Sequence, residues 1–283
     1  MGERHRIGGA TRVAGVMGWP IEHSLSPVIH NAAYEALGID WIYIALPVAP
    51  GAAASAVAGL EALGFAGANV TMPHKEAVAA ALGSLSEDAA LLRAVNTIQV
   101  TPGGLVGHNT DAPGFGRFLE RDAGFDAAGR AALLFGAGGA ARACALALAR
   151  AGAARLVVAL REPVRAAALV ATLADLETTV EVVTFEEAPQ ARPDLIVNAT
   201  PLGARDEALP VPPLGASTVA VDLLYRPMAT PLQTEVRAAG GTAFGGLGLL
   251  LHQAALAIEL WTGQPAPLEA MSAAALAAMA SHA

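Results

Sequence analysis

Cysteine is almost missing from this chain of 283 residues. Cys144 stands alone, so no internal disulfide is possible, and it falls on a helical pattern where a small buried residue is expected. That usage fits a reducing, cytoplasmic setting. Charge is scarce too: 15% of residues are charged and 54% hydrophobic, a balance that excludes disorder. The 17 Lys and Arg are outnumbered by 25 Asp and Glu, giving a formal net charge of -8 and a pI of 5.3. A nucleic-acid partner is therefore disfavoured, because phosphate-backbone binding rests on Lys and Arg, although a local basic cluster can still hold a small anion. The first ten residues, MGERHRIGGA, lack the apolar core of a signal peptide. No uncharged apolar run approaches the roughly 20 residues of a membrane span, so no membrane role is expected. Metal-ligand spacing of the H-E-x-x-H kind is absent, as are internal repeats and low-complexity linkers.

What is present is organised around AALLFGAGGAARACALALAR, residues 131–150. The apolar run 131–135 has the length of a buried parallel strand, and Gly136, Gly138 and Ala141 follow it at the G-x-G-x-x-G/A spacing. Gly136 allows the tight turn, Gly138 lets the backbone approach a pyrophosphate, and Ala141 permits close helix-to-strand packing. The helix that opens here, with Gly139 and Ala140 in its first turn, offers free N–H groups and the positive end of its dipole to phosphates. This reads as the first turn of a nucleotide-binding half.

Before that turn, strands at 12–18, 41–46 and 66–71 alternate with helices at 26–38 and 52–63, which predicts an α/β sheet. Ser26-Pro27 is a helix start, and Ser24 and Ser26 read either as caps or as hydroxyls for a hydroxylated or carboxylated ligand. Asn69 and Thr71 alternate along a strand end and share a side. Lys75 opens the next helix against an unfavourable dipole, so it is either a surface lysine or a partner for a negative substrate or developing alkoxide. A hairpin over 95–108 leads to Asn109-Thr110-Asp111, where Asp111 is either a helix cap or a site residue. In so apolar a chain, polar residues collecting at strand ends (Asn69, Thr71, Lys75, Asn96, Asp111) favour a site. After the glycine turn, strands are expected at 155–160, 179–184, 194–199 and 218–223. The 155–160 strand is followed by Arg161, Glu162 and Arg165; two arginines favour a 2′-phosphate and hence NADP, while Glu162 leaves NAD open. The loop from Thr200 should run past the cofactor, Gly246 belongs to a hinge-like glycine break, and a last helix at 267–280 should pack back on the first part of the chain.

Taken in order, HSLSP (23–27), NVTMPHK (69–75), AVNT (94–97), NTDAPGF (109–115), GAGGAAR (136–142), VNATPLG (197–203), DLLYRP (222–227) and HQAA (252–255) make a specific set. On these stretches, from about Gly15 to Trp261, the chain resembles the shikimate dehydrogenase family. The resemblance implies an α/β fold of two domains with the active site in the cleft. An N-terminal α/β substrate domain, 1–110, is completed by C-terminal helices, 248–283, and 111–247 form a Rossmann-type NADP-binding domain. It further implies Lys75 and Asp111 as the catalytic pair. Ser24 and Ser26 would lie on the substrate carboxylate, and Asn69, Thr71, Asn96 and Gln253 around the ring hydroxyls. Tyr225 would be a substrate-side phenol or a buried structural one. The cofactor set is Gly136, Ala137, Gly138, Gly139, Ala140, Arg161, Arg165, Thr200 and Gly246, with no metal. His74, His108 and His252 receive no role. Leu160-Arg161-Glu162 stands where the family often has Asn-Arg-Thr, which touches the choice of NADP over NAD. The expected activity is reversible reduction of 3-dehydroshikimate to shikimate by a monomer or homodimer. A quinate or quinate/shikimate dehydrogenase using NAD is the alternative, and a ligand-binding regulator without turnover is less favoured, because Lys75 and Asp111 are both present.

Overall fold

The computed structural model describes residues 7–281. Its first sheet is built from β1 (Arg12–Gly18), β2 (Trp41–Pro47), β3 (Gly67–Val70), β4 (Thr97–Thr101) and β5 (Gly104–His108), in the order β2-β1-β3-β4-β5. The apolar strands β1, β2 and β3 run parallel, while β4 and β5 form an antiparallel hairpin on β3. Helices α1 (Ser26–Leu37), α2 (Ala53–Ala62), α3 (Lys75–Ala81) and α4 (Glu87–Leu92) connect these strands. One face closes over a core that includes Met17, Val57, Leu60, Val70, Val78 and Ile98. The chain returns to this unit at its far end: α10 (Leu268–Ala280) packs on α1, and the indole N–H of Trp261 donates to the Ile98 carbonyl at 3.0 Å.

The second sheet takes β6 (Ala131–Phe135), β7 (Arg155–Leu160), β8 (Thr179–Thr184), β9 (Leu195–Asn198), β10 (Val219–Asp222) and β11 (Thr242–Phe244), ordered β11-β10-β9-β6-β7-β8. All its pairings are parallel. This is the doubly wound order 3-2-1-4-5-6, and its direction reverses between β6 and β9. Strands buried on both faces must be apolar nearly throughout, which is why Leu133, Phe135, Val157, Ile196 and Ala220 share one core. Helices α5 (Asp111–Arg121), α6 (Gly139–Arg150), α7 (Ala167–Thr172) and α8 (Pro231–Ala238) belong to this part, and α9 (Leu247–Thr262) leads out of it. The described chain divides into two compact units, one of residues up to Thr110 with those from Leu251 onward, the other Asp111–Leu250. Among the described residues no helix is long and apolar enough to cross a membrane.

The expected strands at 12–18, 131–135, 155–160 and 179–184 are found with those bounds. The expectation that Ser26 caps α1 is corrected. Leu25 holds the cap position without a side-chain bond, Ser26 is the first helical residue, and its own N–H donates to Ser24 Oγ at 3.2 Å. Pro27 removes one N–H that would need a partner and Ser24 accepts another, so little is left to cap. The short elements α4, α7, α8 and β11 were not apparent in the sequence. Each is too brief to display a period; β11 has three residues.

Candidate functional site

In open α/β sheets ligands bind beyond the carboxyl ends of parallel strands, because helix N-termini and free loop backbone collect there. Ser24 and Ser26 follow β1, while Thr71 and Lys75 follow β3, the neighbour of β1. The antiparallel pairing of β4 brings its first residues to the same edge, with Thr97 opposite both Asn69 and His108. Asn96 therefore sits where three strands end. Lys75 is the first residue of α3, and its carbonyl accepts the Val95 N–H at 3.0 Å, tying the lysine segment to the Asn96 loop. His74 is buried and donates from Nε2 to the Val48 carbonyl at 2.7 Å, a structural bond.

The side chains at this edge form one hydrogen-bonded run. The Tyr43 phenol donates to Asn69 Oδ1 at 2.6 Å. Asn69 Nδ2 donates to Thr97 Oγ1 at 2.9 Å and to the Asn96 carbonyl at 3.2 Å. Thr97 Oγ1 donates onward to Asn96 Oδ1 at 3.1 Å, an oxygen that also accepts the Thr110 N–H at 2.7 Å. Asn96 Nδ2 reaches Thr110 Oγ1 at 2.9 Å and Gln253 Oε1, on α9, at 3.4 Å. Ser26, Asn69 and Asn96 are all buried. Burial with full pairing is what makes such a network rigid, since each lost bond would leave a desolvated polar group. Tyr43, Thr97 and Thr110 were not singled out from the sequence. A tyrosine inside an alternating strand reads as core, and only the strand register reveals its partner.

Tyr43 is held from behind. His30 stacks on it with ring centroids 3.9 Å apart at 15°, and donates from Nδ1 to the Ser26 carbonyl at 2.9 Å. Burial lowers the His30 pKa from 6.5 to about 4, with the bond to Ser26 opposing that shift, so the ring is neutral. Burial also pushes the Tyr43 phenol well above its ordinary value, keeping it a donor.

In the second unit Gly136, Arg161, Thr200 and Tyr225 follow the carboxyl ends of β6, β7, β9 and β10, on both sides of the point where the strand order reverses. Gly136 has φ +108, and a Cβ there would stand 3.0 Å from the Ala199 carbonyl oxygen, so only glycine fits. At Gly138 and Gly139 a Cβ would meet nothing within 4 Å. Among the described residues no neighbour demands glycine there, and the open space before the α6 N-terminus suits the close approach of a pyrophosphate. Ala137 lies in the turn, Ala140 is exposed in the first turn of α6, and Ala141 is buried. Gly246 precedes α9 with no room for a Cβ against the Leu223 carbonyl, which makes it a packing glycine.

Buried Asn198 and Asp222 lock the loops that carry Thr200 and Tyr225. Asn198 Oδ1 accepts from the Thr200 hydroxyl at 2.7 Å, and its Nδ2 donates to Asp222 Oδ1 at 3.0 Å. Asp222 also accepts from Thr230 Oγ1 at 2.7 Å and the Leu224 N–H at 3.1 Å. Burial raises the Asp222 carboxyl pKa while these donors pull it back. The Tyr225 phenol is raised by burial, with Arg226 opposing. Arg161 lies over the Phe185 ring at 5.9 Å, and Arg165 Nε donates to Glu162 Oε2 at 3.1 Å. Asp111 is the first residue of α5 and is buried.

A parallel sheet of this order, with the glycine turn at the head of α6, defines a dinucleotide-binding α/β protein. Two family descriptions match the chain: the shikimate dehydrogenase substrate binding domain over residues 16–98, and the shikimate 5'-dehydrogenase C-terminal domain over 246–276. The chain is 44% identical to a shikimate dehydrogenase (NADP+) of Symbiobacterium thermophilum, covering 96% of each. It is 41% identical to the enzyme of that name from Geobacter metallireducens, over 96% of this chain and 99% of the relative. Among solved structures, shikimate 5-dehydrogenase from Thermus thermophilus in complex with NADP(H) and shikimate superposes with a TM-score of 0.84 at 39% identity, covering 94% of this chain and 99% of that one. This chain belongs to the shikimate dehydrogenase family.

Proposed function

We propose that this protein catalyses the reversible NADP-dependent reduction of 3-dehydroshikimate to shikimate, with the first unit binding substrate and the second binding cofactor. The observation that carries the reading is the polar run from Tyr43 through Asn69, Thr97 and Asn96 to Gln253 at the sheet edge from which Lys75 also emerges. Hydroxyls and amides at one edge, beside a cation, suit a small ring bearing several hydroxyls and a carboxylate. NADP(H), when bound, supplies or takes up the hydride. The Gly136–Ala140 turn would hold its pyrophosphate, with Thr200 and Gly246 on neighbouring loops, and Arg161 with Arg165 would meet the 2′-phosphate.

Ser24 and Ser26 hold the substrate carboxylate. Ser24 accepts a backbone N–H and so keeps its proton for that anion. Asn69, Thr71, Asn96 and Gln253 bind ring hydroxyls, with Tyr225 as a further phenolic contact. Lys75 gives a proton to the oxygen formed at the keto carbon and takes it back in the reverse direction, and its charge stabilises the alkoxide as it develops. Asp111 orients that ammonium and accepts from a ring hydroxyl. Initial rates with shikimate and quinate, each against NAD and NADP, test the reading. The highest kcat/KM is expected with shikimate and NADP; a higher value with quinate or NAD overturns it.

A further inference from the structure

The bonds around Asn69 fix which way its amide points. The Asn96 carbonyl can only accept, so the amide edge facing it must be Nδ2, and the two N–H groups of Asn69 are taken by that carbonyl and by Thr97 Oγ1. The opposite edge, Oδ1, faces the Tyr43 phenol, which must then be the donor at 2.6 Å. Asn69 is left with one capacity, the second lone pair of Oδ1. We infer that Tyr43 is a positioning residue that holds Asn69 as a pure acceptor for a ring hydroxyl of the substrate, so that this point in the site reads an O–H and rejects a carbonyl or ether oxygen. The inference rests on the reading of Asn69 as a substrate contact.

The geometry behind Tyr43 supports it. The phenol is 1% exposed, so water cannot replace its bond to Asn69. Its ring is clamped by the stacked His30, with Trp261 6.3 Å away between centroids. The donors also run in one direction, from Tyr43 to Asn69, and from Asn69 through Thr97 to Asn96. In such a chain each bond polarises the next, and reversing one amide would break the bonds on both sides of it. With Tyr43 reduced to phenylalanine, Oδ1 loses its internal donor and the amide is no longer fixed from that edge.

A double-mutant cycle on the full-length enzyme tests this, with KM for shikimate, kcat and the Kd of 2′,5′-ADP as readouts. Tyr43→Phe is expected to raise KM for shikimate about tenfold, the order of one net hydrogen bond, with kcat within about threefold and the Kd of 2′,5′-ADP unchanged. In the Asn69→Ala background the same change is expected to move KM by less than about twofold, because the residue through which Tyr43 acts is gone. An equal rise in both backgrounds means Tyr43 only supports the fold, and an unchanged KM for Tyr43→Phe beside a raised KM for Asn69→Ala likewise overturns the inference. If Asn69→Ala itself leaves KM unchanged, the substrate-contact reading of Asn69 fails and this inference falls with it. Should Tyr43→Phe not fold, Thr97→Val removes an acceptor of the same amide from its other edge, and the same dependence on Asn69 is expected.

Discussion

Lys75 is the only lysine in the chain; every other member of the 17 Lys and Arg is arginine. A guanidinium keeps its charge at any physiological pH, so it can serve an anion but cannot give up a proton, whereas an ammonium can do both. That the one lysine falls at position 75 fits the proton-transfer role proposed for it. Lys75→Arg and Lys75→Ala should each lower kcat by about a hundredfold or more, with KM for shikimate within about tenfold, as steady-state kinetics would show. Near wild-type turnover in Lys75→Arg would remove Lys75 from the chemistry. His30 carries a separate prediction about stability. Its folded pKa of about 4 lies below its unfolded value of 6.5, so the unfolded chain binds the extra proton in that interval. Stability therefore falls as pH drops from 6.5 towards 4, by roughly 3 kcal/mol in full, and is unaffected by this group above pH 7. Urea melts at pH 7 and pH 4.5 should show a smaller loss for His30→Phe than for the wild type.

The segment after β7 is where an element rather than a residue decides the outcome. Glu162 is extended and Pro163–Ala166 forms a single 3-10 turn, which brings Arg165 back over Glu162. Both side chains are largely exposed, at 71% and 59%, so their ion pair contributes at most about 1 kcal/mol and yields readily to a phosphate. Arg161 is not part of that pair and lies over Phe185 instead. Arg161→Ala should therefore weaken use of NADPH at least about tenfold more than use of NADH, since a guanidinium bond to phosphate is among the stronger polar contacts. Glu162→Thr should tighten 2′,5′-ADP by about fivefold or less, measured by calorimetry, because it removes a negative charge and releases Arg165. Equal losses with both cofactors in Arg161→Ala would sink the assignment.

Across the whole molecule, the sequence was legible wherever a pattern was long or its chemistry local. The buried runs 131–135 and 155–160 are continuous apolar stretches, and Gly136 is required by a turn that its neighbours already imply. The polar residues at strand ends could be picked out because they interrupt so apolar a chain. What stayed hidden depends on register and on distant partners. Asn69 meets Thr97 only because β3 and β4 pair antiparallel, and Tyr43 meets Asn69 across β1. The lock between Asn198 and Asp222 likewise joins residues 24 positions apart. The first unit is also assembled from both ends of the chain, with α10 on α1 and Trp261 bonded to Ile98. During synthesis on a ribosome, residues 111–250 are made before the helices that complete the earlier-made unit. The part of the chain made first is the last to be finished, and its half-built apolar face is what a chaperone would meet in the meantime.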